Sequence, residues 1–175
     1  VARAGGRRMT AMSNDLRTRR TRLAALVVVL LTFIADQASK YWVLNHTSLP
    51  DGDRISVLPV FDFVLTWNMG ISYGLFQQHE ALGRWLLIGL TALATVLLAV
   101  WLWRSRDRLI ASLALALIIG GALGNLVDRV VFGGVVDFLY LHYGSFSWYV
   151  FNLADCAIVA GVGALLYESL RLRPH

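Results

Sequence analysis

Four stretches of this chain are long and apolar enough to cross a bilayer, and most of its polar residues collect between them. A spanning helix needs about 20 mostly apolar residues to cross a hydrocarbon core of roughly 30 Å. Residues 23–44, 82–103, 109–131 and 149–170 meet that test. The first is interrupted only by Asp36 and Lys40 near its far end, and the second is uncharged from Trp85 onward. The third stays uncharged until Asp128 and Arg129, while the fourth contains Asp155 early and Glu168 at its end. Between the first two spans, Arg54 to Thr66 alternates apolar and polar positions, is rich in β-branched and aromatic residues and is broken by Pro59. That pattern predicts two short strands or a hairpin. Residues 70–78 follow, with Ile71, Leu75 and Phe76 on one face of a short interfacial helix.

Composition and charge sharpen this picture. Of 175 residues, 57% are hydrophobic and 15% charged, against about 25% charged in soluble domains. A water-soluble globule is excluded. The net charge of +5 and a pI near 9.9 do not make a nucleic-acid binder, because that needs a basic face or stripe. Here short arginine clusters are separated by long uncharged runs, and Lys40 is the only lysine. Arg17, Arg19, Arg20 and Arg22 precede span one, Arg104, Arg106 and Arg108 join spans two and three, and Arg171 and Arg173 follow span four. With four spans, all three clusters fall on one side, the cytoplasmic side by the positive-inside rule. Both termini are then cytoplasmic, and the loops at 45–83 and 132–148 are extracytoplasmic. Trp42, Trp85, Trp101, Trp103 and Trp148 sit near span ends, as interfacial aromatics do. Residues 1–22 form an Arg-rich segment with no structural pattern, expected to be disordered. Residues 23–170 form the membrane domain, and 171–175 a cytoplasmic tail. Reading the amino end as a cleaved signal peptide meets two objections: no clear small-x-small site follows, and Asp36 and Lys40 are out of place near one. A single cysteine, Cys156, forms no internal disulfide and reads as small apolar packing.

The acidic residues carry the candidate chemistry. A charge inside a bilayer costs from about 3 to over ~10 kcal/mol, so it faces a partner or a wet cavity. Asp36, Asp128 and Asp155 fall within spans and Asp137 just after the third, and the orientation above puts all four toward the extracytoplasmic side. Asp36 with Lys40, Asn125 with Asp128 and Arg129, and Asn152 with Asp155 share helix faces at three- and four-residue spacings. Asp36–Lys40 and Asp128–Arg129 read as charge-compensated structural pairs. Asp137 and Asp155 have no basic neighbour in sequence, which singles them out. Two carboxylates brought together in a low-dielectric site do not both ionise, and the division supplies a base to activate water and an acid to protonate an amide nitrogen. Spacing alone leaves open the blander reading, two aspartates that are solvated or used as caps.

Other chemistries find less support. Ser39, Ser72, Ser145 and Ser147 have no histidine in a nucleophile context, and His46, His79 and His142 lack paired ligand spacing, so neither a serine nor a zinc peptidase is indicated. No metal or cofactor is expected. The run Gly120-Gly-Ala-Leu-Gly124 lies inside a span and reads as close helix packing. A proton-coupled transporter would spread polar residues through the depth of several spans, whereas here spans two and four are almost wholly apolar on the cytoplasmic side. A membrane scaffold would have no need of Asp137 and Asp155 together.

Five motifs, in order and spacing, carry a family resemblance: Asp36-Gln-Ala-Ser-Lys40, Asn68-Met-Gly-Ile-Ser72, Gly120-Gly-Ala-Leu-Gly-Asn-Leu-Val-Asp-Arg129, Val136-Asp137-Phe138 and Phe151-Asn-Leu-Ala-Asp155. Over residues 23–170 the chain resembles lipoprotein signal peptidase, or signal peptidase II. The resemblance implies an all-α polytopic fold of four transmembrane helices with a small extracytoplasmic β-sheet and a short amphipathic helix over the site. It implies a bacterial inner-membrane aspartyl endopeptidase that cleaves prolipoproteins immediately before the diacylglyceryl-modified cysteine. Asp137 and Asp155 would be the catalytic dyad. Asp36, Lys40, Asn68, Gly70, Asn125, Asp128, Arg129 and Asn152 would shape the site and hold the substrate backbone. It further implies membrane lipid as the surrounding partner, a monomeric state, no cofactor, and inhibition by cyclic peptide antibiotics such as globomycin. Two features depart from the family pattern. Tyr149 follows Trp148 where many members have proline, and the Arg-rich stretch before Leu23 is longer than the family core needs.

Overall fold

A computed structural model describes residues 2–70, 81–105 and 108–171 of the chain. Four helices dominate: α1 (Ala2–His46), α2 (Ala81–Arg104), α3 (Leu109–Val131) and α4 (Leu153–Arg171). All four contain stretches apolar and long enough to cross a membrane. The expected interfacial helix at 70–78, apart from Gly70, lies outside the described residues, as do Arg106 and Arg173.

Helix α3 is the centre of the bundle and touches α1, α2 and α4. Glycine makes those approaches possible. A Cβ on Gly120 would lie 2.8 Å from the Val29 carbonyl oxygen of α1, and one on Gly121 would lie 2.5 Å from the Ala154 carbonyl oxygen of α4. The glycine run is therefore a packing surface, as its place inside a span suggests. Outward-facing side chains such as Leu86, Leu90, Leu97 and Trp101 of α2 are left exposed, the arrangement of a helix that meets lipid rather than a protein core.

Two helix boundaries differ from the sequence expectation. The segment 1–22, expected to be disordered, is helical from Ala2, so α1 runs unbroken to His46. Residues 12–22 contain no proline or glycine, and Arg19 Nε reaches Asp15 Oδ2 at 3.0 Å in an i, i+4 pair that supports a helix. Arg22 then joins α1 to the end of α2, donating from Nη2 to the Trp103 carbonyl at 2.8 Å with its guanidinium 4.3 Å from the indole centroid. Helix α4 starts at Leu153 rather than at 149. Asn152 Oδ1 accepts the Asp155 N–H at 3.0 Å, and Asp155 Oδ2 accepts the Asn152 N–H at 3.2 Å. This reciprocal capping fixes the helix start, while Phe151 pairs instead with Leu139 as an isolated β-bridge.

The hairpin is present as β1 (Arg54–Leu58) and β2 (Phe61–Asn68), turning at Pro59 and Val60. Two further strands, β3 (Val135–Tyr143) and β4 (Phe146–Ser147), complete a four-stranded antiparallel sheet in the order β1-β2-β3-β4. Phe138 of β3 packs with Val43 of α1 and Leu49, and Phe63, Leu65 and Leu139 flank them. This small core seats the sheet on the carboxyl end of α1. A register shift in β2 between Phe63 and Thr66 re-aims the strand so that Thr66 lies opposite Asp137 and Asn68 opposite Val135.

Candidate active site

Every residue singled out for the site falls at the sheet end of the bundle, and hydrogen bonds link nearly all of them into one network. Asp137 comes from β3 and Asp155 from the first turn of α4. Asn152 stands between them. Its Nδ2 donates to Asp137 Oδ1 at 2.6 Å and to Asn125 Oδ1 at 3.1 Å, and Asn125 Nδ2 donates to Asp155 Oδ1 at 2.9 Å. Asn68 Nδ2 donates to Asp137 Oδ2 at 3.1 Å, and Asn68 Oδ1 in turn accepts the Gly70 N–H at 3.3 Å. Each amide oxygen meets a donor and each amide nitrogen an acceptor, so the orientations of all three asparagines are fixed by their partners.

Asp137 is buried and Asp155 half-buried. Burial, followed by the neighbouring charge of Asp155, pushes the Asp137 carboxyl up to about 7, against the bonds from Asn68 and Asn152 and the charge of Lys40. One of two interacting carboxyls thus holds its proton up to about neutral pH, the condition for acid and base roles to separate.

A second tier lies behind the pair. Lys40 Nζ reaches Asp36 Oδ2 at 2.8 Å, Asp128 Oδ2 at 2.7 Å and Asn125 Oδ1 at 3.0 Å, with all three charged side chains buried. Asp36–Lys40 pair as the spacing suggests. Asp128 and Arg129 do not pair, because adjacent helical residues point about 100° apart; Lys40 takes Asp128 instead. Arg129 Nη1 donates to the Asn125 carbonyl at 3.2 Å, and the guanidinium interacts electrostatically with Asp137, Asp155 and Asp128. The dyad candidates that lack a cation in sequence therefore share one in space. The two supporting aspartates also grip backbone. Asp36 Oδ1 accepts the Ala154 N–H at 3.0 Å, one residue before Asp155, and Asp128 Oδ2 accepts the Val136 N–H at 3.2 Å, one residue before Asp137. A Cβ on Gly124 would overlap the Asp36 carboxylate, so the third glycine of the run clears space for this contact.

Gln37 was not singled out in the sequence, yet its Nε2 contacts both Asp36 and Asp128. An amide in an apolar span carries the same kind of signal as an acid there, though weaker. Ser72 and His79 lie outside the described residues; among those described, the serines and histidines named as alternatives do not gather here, and His142 sits on the far part of β3, where its Nε2 meets Asp62 Oδ2 at 2.8 Å beside Arg54.

Apolar spanning helices and a strong likeness to solved membrane enzymes define a multi-pass bacterial membrane enzyme. One such bacterial membrane enzyme, determined by the in meso method at 2.3 Å, aligns with a TM-score of 0.74 at 25% identity, over 84% of this chain and 87% of the other. A second, at 1.9 Å, gives the same TM-score at 24% identity and supports the fold. The sequence profile of Signal peptidase (SPase) II matches residues 28–171. The lipoprotein signal peptidase of Methylorubrum extorquens is 51% identical over 87% of this chain and 88% of its own length. That of Beijerinckia indica is 50% identical over 82% of this chain and 85% of its own. The chain belongs to the signal peptidase II family, and its activity is that of a lipoprotein signal peptidase, a membrane protease whose family acts on prolipoproteins.

Proposed function

We propose that this chain hydrolyses its substrate with an aspartyl dyad, Asp137 and Asp155, cutting the prolipoprotein immediately before its diacylglyceryl-modified cysteine. The observation that carries the reading is the Asp137–Asn152–Asn125–Asp155 chain of hydrogen bonds, which joins two carboxyls from separate elements while burial raises one of them. In this scheme Asp137 holds the proton and Asp155 is the base. Water between them attacks the scissile carbonyl, Asp155 takes its proton, and Asp137 donates to the leaving nitrogen, with no covalent intermediate. Asp36, Lys40, Asn68, Gly70, Asn125, Asp128, Arg129 and Asn152 hold the two acids and the substrate backbone in place.

The topology belongs to the same proposal. Residues 1–22 and 171–175 face the cytoplasm, 23–170 form the peptidase domain in the inner membrane, and the dyad opens near the extracytoplasmic face. The acyl chains of the substrate lie in lipid or against apolar helix faces, and its signal helix packs beside α2, α3 and α4. The protein acts as a monomer, and cyclic peptides such as globomycin compete for the site.

The test is cleavage of a diacylglyceryl-modified prolipoprotein in detergent, beside an unmodified control, by Asp137→Asn and Asp155→Asn proteins. Both variants are expected to lose cleavage while remaining folded and membrane-inserted. Full activity in either removes that residue from the mechanism, and equal cleavage of the unmodified control removes the lipid requirement.

A further inference from the structure

The two carboxylates behind the dyad are bridged by a neutral residue, Gln37. Its Nε2 lies 2.9 Å from Asp128 Oδ1, 3.2 Å from Asp36 Oδ2 and 3.2 Å from the Gly124 carbonyl. An amide nitrogen carries two N–H groups, so three acceptors share two protons, and Asp128 has the closest approach. Around it, two buried carboxylates face the single ammonium of Lys40. Two carboxyls present more acceptor oxygens than that ammonium can serve, with the Arg129 guanidinium acting on Asp128 only electrostatically, and a neutral amide supplies further donors without adding a charge of its own. The effect reaches the dyad through main chain, since Asp36 holds the N–H preceding Asp155 and Asp128 the N–H preceding Asp137.

We propose that Gln37 is a positioning residue for the peptidase reaction: its amide ties Asp36 to Asp128 and thereby sets α4 against β3, and Asp155 against Asp137. The proposal rests on the dyad reading above. The charged groups facing position 37 are Asp36 and Lys40 on its own helix and Asp128 on α3. Asp155 on α4, Asp137 on β3 and Arg129 on α3 are reached one step further, through Asn125 and Asn152. Replacing the amide by a carboxyl of the same shape therefore creates a conditional donor. Protonated, a glutamic acid here offers an O–H where the amide offered an N–H; ionised, it is a third carboxylate against one lysine.

The experiment compares wild type, Gln37→Glu, Gln37→Met and Asp137→Asn in detergent on the lipidated substrate across pH, with the variants purified at acidic pH. For Gln37→Glu, kcat is expected to fall at least ~10-fold at about pH 8 and to return to within ~3-fold of wild type at about pH 5.5, with KM within ~2-fold throughout. Gln37→Met, of similar volume but without donors, is expected to lose kcat at every pH without recovery. A wild-type pH profile in Gln37→Glu overturns the proposal, and so does wild-type activity in Gln37→Met, which would mean the side chain only fills space; equal, pH-independent loss in both variants overturns it too, because a donor restored at low pH would then do nothing. Full activity of Asp137→Asn sinks the dyad reading whatever the Gln37 variants do. An inactive Asp137→Asn beside a wild-type Gln37→Glu sinks the proposal alone.

Discussion

Lys40→Met removes the cation that ion-pairs with both of two fully buried carboxylates. The ammonium lies 2.8 Å from Asp36 and 2.7 Å from Asp128, and the three side chains are 3%, 0% and 1% exposed, so water cannot take its place. Removing one partner of a buried ion pair costs about 3–5 kcal/mol. Two acids lose their partner here, but the costs do not add, because one relieves the other by taking up a proton. Each kcal/mol moves the melting point of a chain this long by about 2–4 °C, so a fall of ~6–20 °C is expected at neutral pH. Tryptophan fluorescence during heating in detergent reads it directly. The triple variant Asp36→Asn, Lys40→Met, Asp128→Asn removes the stranded charges as well and is expected to regain at least about half of the loss. A Lys40→Met protein melting within ~2 °C of wild type would refute the idea that this lysine neutralises the inner tier.

Two other perturbations probe the neighbouring contacts. Gly124→Ala places a Cβ on the Asp36 carboxylate; overpacking of about 1–3 kcal/mol, seen as a lower melting point, is expected together with reduced cleavage, and an unchanged melt and rate would show that Asp36 has room to move. Asp137 ionises near 3.8 as a free side chain and near about 7 in the fold, so between those values the folded state holds a proton that the unfolded chain has released. Its contribution to stability is therefore fullest below the lower value and is lost as pH rises through the upper one. Asp137→Asn is expected to gain stability over wild type above pH 7, by up to ~4 kcal/mol at about 1.4 kcal/mol per pH unit, and to lose that gain toward about pH 4. A difference in melting point that does not change with pH between those limits would contradict the sign.

The spans were legible because hydrocarbon thickness imposes a length on apolar runs, and the positions of Asp36, Asp128 and Asp155 stood out because charge is so costly there. The hairpin at 54–68 was legible from its alternation and Pro59. Strand β3, Val135 to Tyr143, carries a weaker signal, because its principal partner, β2, lies far earlier in the chain rather than across a tight turn. The start of α4 was written in Asn152-x-x-Asp155, a local cap pattern that the continuous apolar run obscured. What local spacing could not supply was partnership across the chain. Lys40 and Asp128 are joined only because α1 and α3 pack closely at Gly120 and Gly124, so the adjacent Arg129 looked like the natural partner. Gln37 carries no formal charge to mark it within an apolar span, although its partners are charged.

The reciprocal cap at the start of α4 gives Asp155 two employments at once. Its Oδ2 secures the Asn152 N–H while its Oδ1 takes the Asn125 amide, and both bonds need an acceptor. In the proposed mechanism a proton arriving on Asp155 during water activation weakens one of them, since a protonated carboxyl accepts less well and a helix start prefers negative charge. On that proposal, proton transfer and the tightness of the helix's first turn are one coordinate. In kinetic terms, the proposed cycle carries a small unwinding stroke at the mouth of α4 each time Asp155 takes up a proton, and release of that proton rewinds it.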